Sequence, residues 1–214
     1  MNHQSQNGIK PLFLAMLLAS LAGCASTSIP NAAGSRVVDI DIRQSGPVAG
    51  VGIESHDIVS MTDQMMRDML SSPGLTSGPA PRVIVDATYF LNESSQRINK
   101  NIITDRLRVA LNRSAAGRMS FVGRHYASMV AEERELKREG VVDTGTRELS
   151  QAQAGADFRL GGRINSLDSQ STASGMQQRY TQITFEMVDL ERGEIVWSGI
   201  YEFGRAGADD VVYR

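Results

Sequence analysis

Cys24 is the only cysteine in the chain, and it directly follows Leu21-Ala22-Gly23. A branched residue, two small residues and a cysteine form the pattern of a bacterial lipobox. The small residues let the backbone enter a peptidase cleft. The thiolate is the nucleophile that takes a diacylglycerol before cleavage. Lipidation would also consume the lone thiol in an oxidising compartment. One cysteine excludes an internal disulfide and a cysteine-based metal cluster. Residues 1–23 read as the matching export signal. A polar start with Lys10 precedes the apolar run Leu12-Phe13-Leu14-Ala15-Met16-Leu17-Leu18-Ala19, which is too short to span a bilayer.

No catalytic set accompanies this residue. The chain has three histidines. Of these, His56 and His125 remain after export; neither has metal-ligand spacing, and both lie near expected helix starts. No HExxH, GxSxG or SxxK pattern occurs, and no phosphate loop ends in Gly-Lys-Ser/Thr. Gly50-Val51-Gly52 lacks the third glycine of a dinucleotide site and reads as a hinge into a helix. Glu132, Glu133, Glu135 and Glu139 interleave with Arg134, Lys137 and Arg138, the pattern of a self-paired, solvated helix face rather than of an acid–base pair. Met61, Met65, Met66 and Met69 read as a packing face rather than a copper site. The residues therefore predict no enzyme, no cofactor and no metal.

Chemistry of recognition fits better. The net charge is -2, yet residues 82–163 carry 14 basic and 10 acidic groups, and the chain has 19 Arg against 3 Lys. Arginine forks bind carboxylates bidentately and stack on aromatic rings. Nucleic acid is not expected as a partner in the compartment that Cys24 implies.

The elements that must position these groups follow from periodicity. With 41% hydrophobic and 21% charged residues over 214 positions, one globular domain is expected. Residues 24–54 read as a flexible tether, reaching at most about 100 Å when extended. A helix over 55–70 is capped by Ser55 and buries Ile58, Met61, Met65 and Met69. A strand over 82–89 is followed by a loop at 92–95, a helix over 99–113 and a short strand at 119–122. A charged helix over 124–139 turns Tyr126, Met129, Val130 and Leu136 inward and stops at Gly140; a short helix covers 146–154. Three strands close the chain, over 157–164, 178–190 and 194–203, with a polar loop at 168–178. The last two form a hairpin around Glu191-Arg192-Gly193. Residues 205–214 read as a loose tail, leaving 55–204 as the globular domain.

This order predicts an α+β domain: a mixed, mostly antiparallel sheet of four to five strands with helices mainly on one face. Alternation places Arg159, Arg163, Gln182, Thr184 and Glu186 on the other face, together with Val196 and Ile200, and the N-terminal helix is expected to cover part of it. On the hairpin, Ile195, Trp197, Gly199, Tyr201 and Phe203 face the core. The polar face, with Arg159, Arg163, Gln182 and Thr184, is the candidate partner-binding surface.

Several segments resemble the LpoB family of lipoproteins. They are the lipobox, the stretch from Arg82 through Leu107-Arg108-Val109-Ala110-Leu111, Met119-Ser120-Phe121-Val122, Ala156-Asp157-Phe158-Arg159-Leu160-Gly161-Gly162, and the closing run from Val188 to Gly199. The resemblance spans about 55–203. It implies a fold similar to the TolB N-terminal domain. It also implies a monomeric, non-catalytic protein that binds and stimulates a bifunctional class A penicillin-binding protein in cell-wall synthesis. By resemblance to sorted lipoproteins, Ala25 after the lipidated Cys24 implies the periplasmic face of the outer membrane. The hairpin also resembles those of curli-secretion lipoproteins, which leaves a structural subunit of an envelope secretion or assembly complex as the alternative.

Overall fold

The computed structural model describes residues 37–76, 79–143, 145, 153–208 and 211–213. The export signal, Cys24 and the first part of the tether lie outside them, as does the helix expected over 146–154 except for its last two residues.

The compact folded unit begins at Ile40. Within that unit, α1 (Ser55–Ser71) is followed by the single turn α2 (Pro73–Thr76), β1 (Arg82–Ile84), β2 (Phe90–Glu93), α3 (Lys100–Ser114) and β3 (Ser120–Phe121). A 3₁₀ turn (Arg124–Tyr126) leads into α4 (Ala127–Glu139). Three long strands end the unit: β4 (Phe158–Gln170), β5 (Gln177–Asp189) and β6 (Ile195–Gly207).

Among the described residues the strands form one six-stranded sheet in the order β3-β1-β4-β5-β6, with β2 also on β4. β4, β5 and β6 are antiparallel, whereas β1 and β2 run parallel to β4 and β3 parallel to β1. This is the expected mixed α+β domain with one strand more than the upper estimate. The extra strand arises because the strand expected over 82–89 ends at Ile84, and β2 forms after it over Phe90–Glu93, partly where a loop was expected. Ile84 pairs with Arg159 and Phe90 with Gly162, so this edge carries surplus residues between two pairing blocks. They form a turn in which Asp86 accepts the Thr88 N–H at 3.0 Å and the Phe90 N–H bonds to Ala87 O.

α1 and α3 lie on one face of the sheet. Met61, Met65 and Met69 of α1 and Ile103, Leu107 and Leu111 of α3 pack against Leu160, Ile164, Ile183, Phe185 and Met187. Each such side chain contributes roughly 1.5–3 kcal/mol on burial. The methionine stripe is therefore core. Trp197 closes one end of the core, and its indole N–H donates to Asp68 Oδ2 at 2.9 Å.

Several boundaries and faces differ from the sequence reading. The N-cap of α1 is Glu54, not Ser55: the Asp57 carboxylate reaches back to the Glu54 N–H at 2.8 Å. Val51 and Ile53, expected in the tether, are buried. The expected loop at 168–178 shrinks to a turn at 171–176, because β4 and β5 pair through to Gln170 and Gln177. β6 runs to Gly207, past the expected start of the tail.

Two faces are reversed. α4 buries no residue, and Tyr126, Met129 and Val130 are exposed. Two features match expectation: the left-handed Gly140 (φ 73°) at its end, and the pairing of its own charges, Arg138 with Glu135 and Lys137 with Glu133. On β6, a bulge lies where Met187 faces Trp197 but Val188 faces Ile195. The surplus residue, Val196, turns to the core, and Ile195 is exposed.

Candidate docking face

The other face of β4, β5 and β6 carries Arg159, Arg163, Gln182, Thr184, Glu186 and Ile200. Because side chains alternate along a strand, the register sets them in rows. Arg163 lies beside Thr184, which lies beside Ile200. Asn165, Gln182 and Glu202 form the next row, and Leu167, Tyr180 and Gly204 the one after. Toward the other end, Gly161, Glu186 and Ser198 make one row, and Arg159 lies beside Val188 in another. The N-terminal helix does not cover this face; its buried methionines join the core on the opposite side.

Arg163, Gln182 and Thr184 stay close together and accessible. Arg163 is half-exposed and lies 3.3 Å from Glu93 Oε2 on the neighbouring strand, also half-exposed. A pair so wet holds the guanidinium weakly. Gln182 Nε2 donates to the Tyr180 hydroxyl at 3.2 Å, which donates to Glu202 Oε2 at 2.7 Å. That bond to Glu202 raises the Tyr180 pKa above the ordinary phenol value.

Arg159 is different. Its Nη2 lies 3.0 and 2.9 Å from the two Asp86 oxygens, and its guanidinium sits 4.5 Å above the Tyr89 ring. Burial raises the Asp86 pKa, but the bonds from Arg159 and Thr88 outweigh it and hold the carboxyl below its ordinary value. Arg159 thus fastens the turn between β1 and β2 rather than standing free with Arg163.

Sequence alternation placed Ile200, 46% exposed, on this face but missed the rest of its apolar part: Leu167, 71% exposed, and the exposed Leu91 and Ile195. Leu167 was hidden by its polar neighbours, which read as loop. Ser95, Asp168 and Arg179 were also missed. The Ser95 hydroxyl and Arg179 Nε both donate to Asp168, and these bonds outweigh burial to lower its pKa. This cluster pins the loop after β2 to the far end of the hairpin.

A second polar cluster lies at the start of α1. Asp57, only 2% exposed, accepts 2.9 and 2.7 Å bonds from Arg205 at the end of β6. Arg205 also bonds to Gly52 O and lies 3.0 Å from His56 Nε2. The Tyr213 hydroxyl accepts from Gly52 N at 3.0 Å and donates to Glu54 Oε1 at 2.6 Å. Gln96 clamps both backbone groups of Ile53. His56 is thus part of a fastening built on ion pairs and backbone bonds. His125 is exposed in the 3₁₀ turn, with its ring 4.0 Å from that of Tyr126.

A polar sheet face with interspersed exposed apolar side chains can bind another protein surface. The family model for the peptidoglycan-synthase activator LpoB matches residues 57–203. The chain belongs to the LpoB family. No curated protein matches it significantly. Among solved structures, the LpoB C-terminal domain from Salmonella enterica is similar at 19% identity, covering 66% of this chain and 94% of that one, with a TM-score of 0.39. The LpoB C-terminal domain from Escherichia coli gives 18% identity, the same coverages and the same TM-score. The lipoprotein GNA1162 from Neisseria meningitidis gives 20% identity, coverages of 62% and 88%, and a TM-score of 0.31. The LpoB match begins three residues into α1 and ends within β6, so it takes in the elements that build the docking face.

Proposed function

We propose that this LpoB-family chain is an outer-membrane lipoprotein, anchored through Cys24, that binds and stimulates a class A penicillin-binding protein without catalysing a reaction itself. The observation that carries this reading is the family match over residues 57–203. The open sheet face around Arg163, Thr184 and Gln182 supports it by supplying a surface for a partner. Docking works by differential affinity: a partner held more tightly in its faster state is shifted toward that state. Arg163, Gln182 and the exposed Leu91, Leu167 and Ile200 make the contact, and Arg159 keeps the adjoining turn in place.

The test uses the lipidated full chain in detergent with a class A synthase from the same cell. Glycan polymerisation is expected to rise on addition of the protein, and Arg163→Glu is expected to reduce that rise with no change in the melting temperature. Absence of both binding and stimulation for every such synthase overturns the proposal. A stable ring of the chain by light scattering points instead to an assembly subunit.

A further inference from the structure

A cleft of about 650 Å³ opens where the chain leaves β1 and β3, beside the start of α3. It lies at the Arg159 end of the face that carries Arg163, which is not part of the cleft, and its lining is cationic: Lys100 and Arg108 of α3, Arg124 of the 3₁₀ turn and Arg159 of β4. Two carboxylates line it, Asp86 and Asp105. Both are already engaged, Asp86 by the Arg159 fork and Asp105 by Arg108 Nη2 at 2.9 Å.

Two positive charges are left over. Lys100 Nζ donates to the neutral carbonyl of Ala87 at 3.3 Å. The Arg124 side chain has no hydrogen-bond or carboxylate partner among the described residues. In addition, Arg159 Nε is a buried donor without an acceptor. α3 begins here, with Asn99 as its N-cap and no acidic residue in its first turn, so its positive end adds to the same field.

We propose that this cleft binds a compact dianionic oxyanion of the phosphate type. The excess of four cations over two carboxylates matches a phosphate monoester, which carries close to two negative charges at neutral pH. A single carboxylate leaves one cation unmatched. The walls of three elements admit a small charged group with an organic remainder. The paired rings of His125 and Tyr126, also lining the cleft, offer that remainder a flat surface. The phosphate has two possible sources, a soluble anion or a lipid headgroup. This site does not depend on the docking proposal.

The test is calorimetric titration of the full chain with inorganic phosphate, diphosphate and, as a lipid source, dihexanoyl phosphatidate below its micelle concentration, with acetate as the control. Saturable one-to-one binding is expected for at least one phosphate ligand and not for acetate. Arg124→Gln and Lys100→Gln are each expected to weaken it about tenfold or more, since each removes a charge-assisted bond. Arg163→Gln is expected to leave it unchanged. Tighter binding of phosphatidate assigns the site to a headgroup, and tighter binding of diphosphate to a soluble anion. Arg124 has no partner to lose among the described residues, so its variant is expected to keep the wild-type melting temperature. No saturable binding, or binding indifferent to both substitutions, overturns the proposal.

Discussion

Single side chains hold this domain together in two ways that substitution separates. The Asp86–Arg159 fork depends on an ionised carboxylate with a lowered pKa. A carboxylate lowered on folding stabilises the fold above its unfolded value of about 4 and loses that effect as pH falls through the folded value. Asp86→Asn is therefore expected to cost about 1–3 kcal/mol at pH 7, with the difference from wild type shrinking in urea melts below about pH 4. Trp197 acts chiefly through volume. Trp197→Ala is expected to cost about 3–5 kcal/mol by thermal or urea melt. Trp197→Phe keeps most of the packing and loses the bond to Asp68, so its cost is expected to be nearer 1–2 kcal/mol.

At the scale of elements, glycines show where backbones or large side chains come close. A Cβ on Gly199 would lie 2.5 Å from Met65 Sδ and 2.6 Å from Trp197 Cη2, whereas a Cβ on Gly161 would lie 3.5 Å from Tyr89 O, an ordinary contact. Gly199→Val is expected to destabilise by about 1–3 kcal/mol through overpacking, and Gly161→Ala to stay within about 0.5 kcal/mol of wild type; parallel urea melts distinguish them. The same scale explains what was legible in the sequence. The methionine stripe of α1 and the alternation of Ile183, Phe185 and Met187 repeat with one dominant period, and both landed in the core. The strand over 82–89 was read as continuous because its apolar residues conceal the Asp86-Ala87-Thr88 turn. The bulge at Val196 shifts alternation by one residue, a slip that side-chain type cannot reveal when Ile195 and Val196 are both apolar. α4 has an apolar stripe, yet solvent rather than core lies beside it, and periodicity alone does not report what a stripe meets.

For the molecule as a whole, the α+β class and the clustering of Arg163, Gln182 and Thr184 followed from alternation. The tie between Arg159 and Asp86, far apart in sequence, depended on the tertiary pairing of β1 with β4. The proposed anchor predicts that Cys24→Ala moves the protein from the membrane fraction to the soluble fraction, read by fractionation and blotting. If the variant remains in the membrane fraction, Cys24 is not the anchor.

Gly52 and Glu54, where the proposed tether enters the folded unit, are bound to Tyr213 and, through Asp57, to Arg205 at the far end of the chain. A pull on the amino-terminal leader therefore reaches the sheet through β6 as well as through α1. Those strands resist lengthwise sliding by many bonds broken together rather than one at a time. The point of entry is thus fastened to the first helix and the last strand at once.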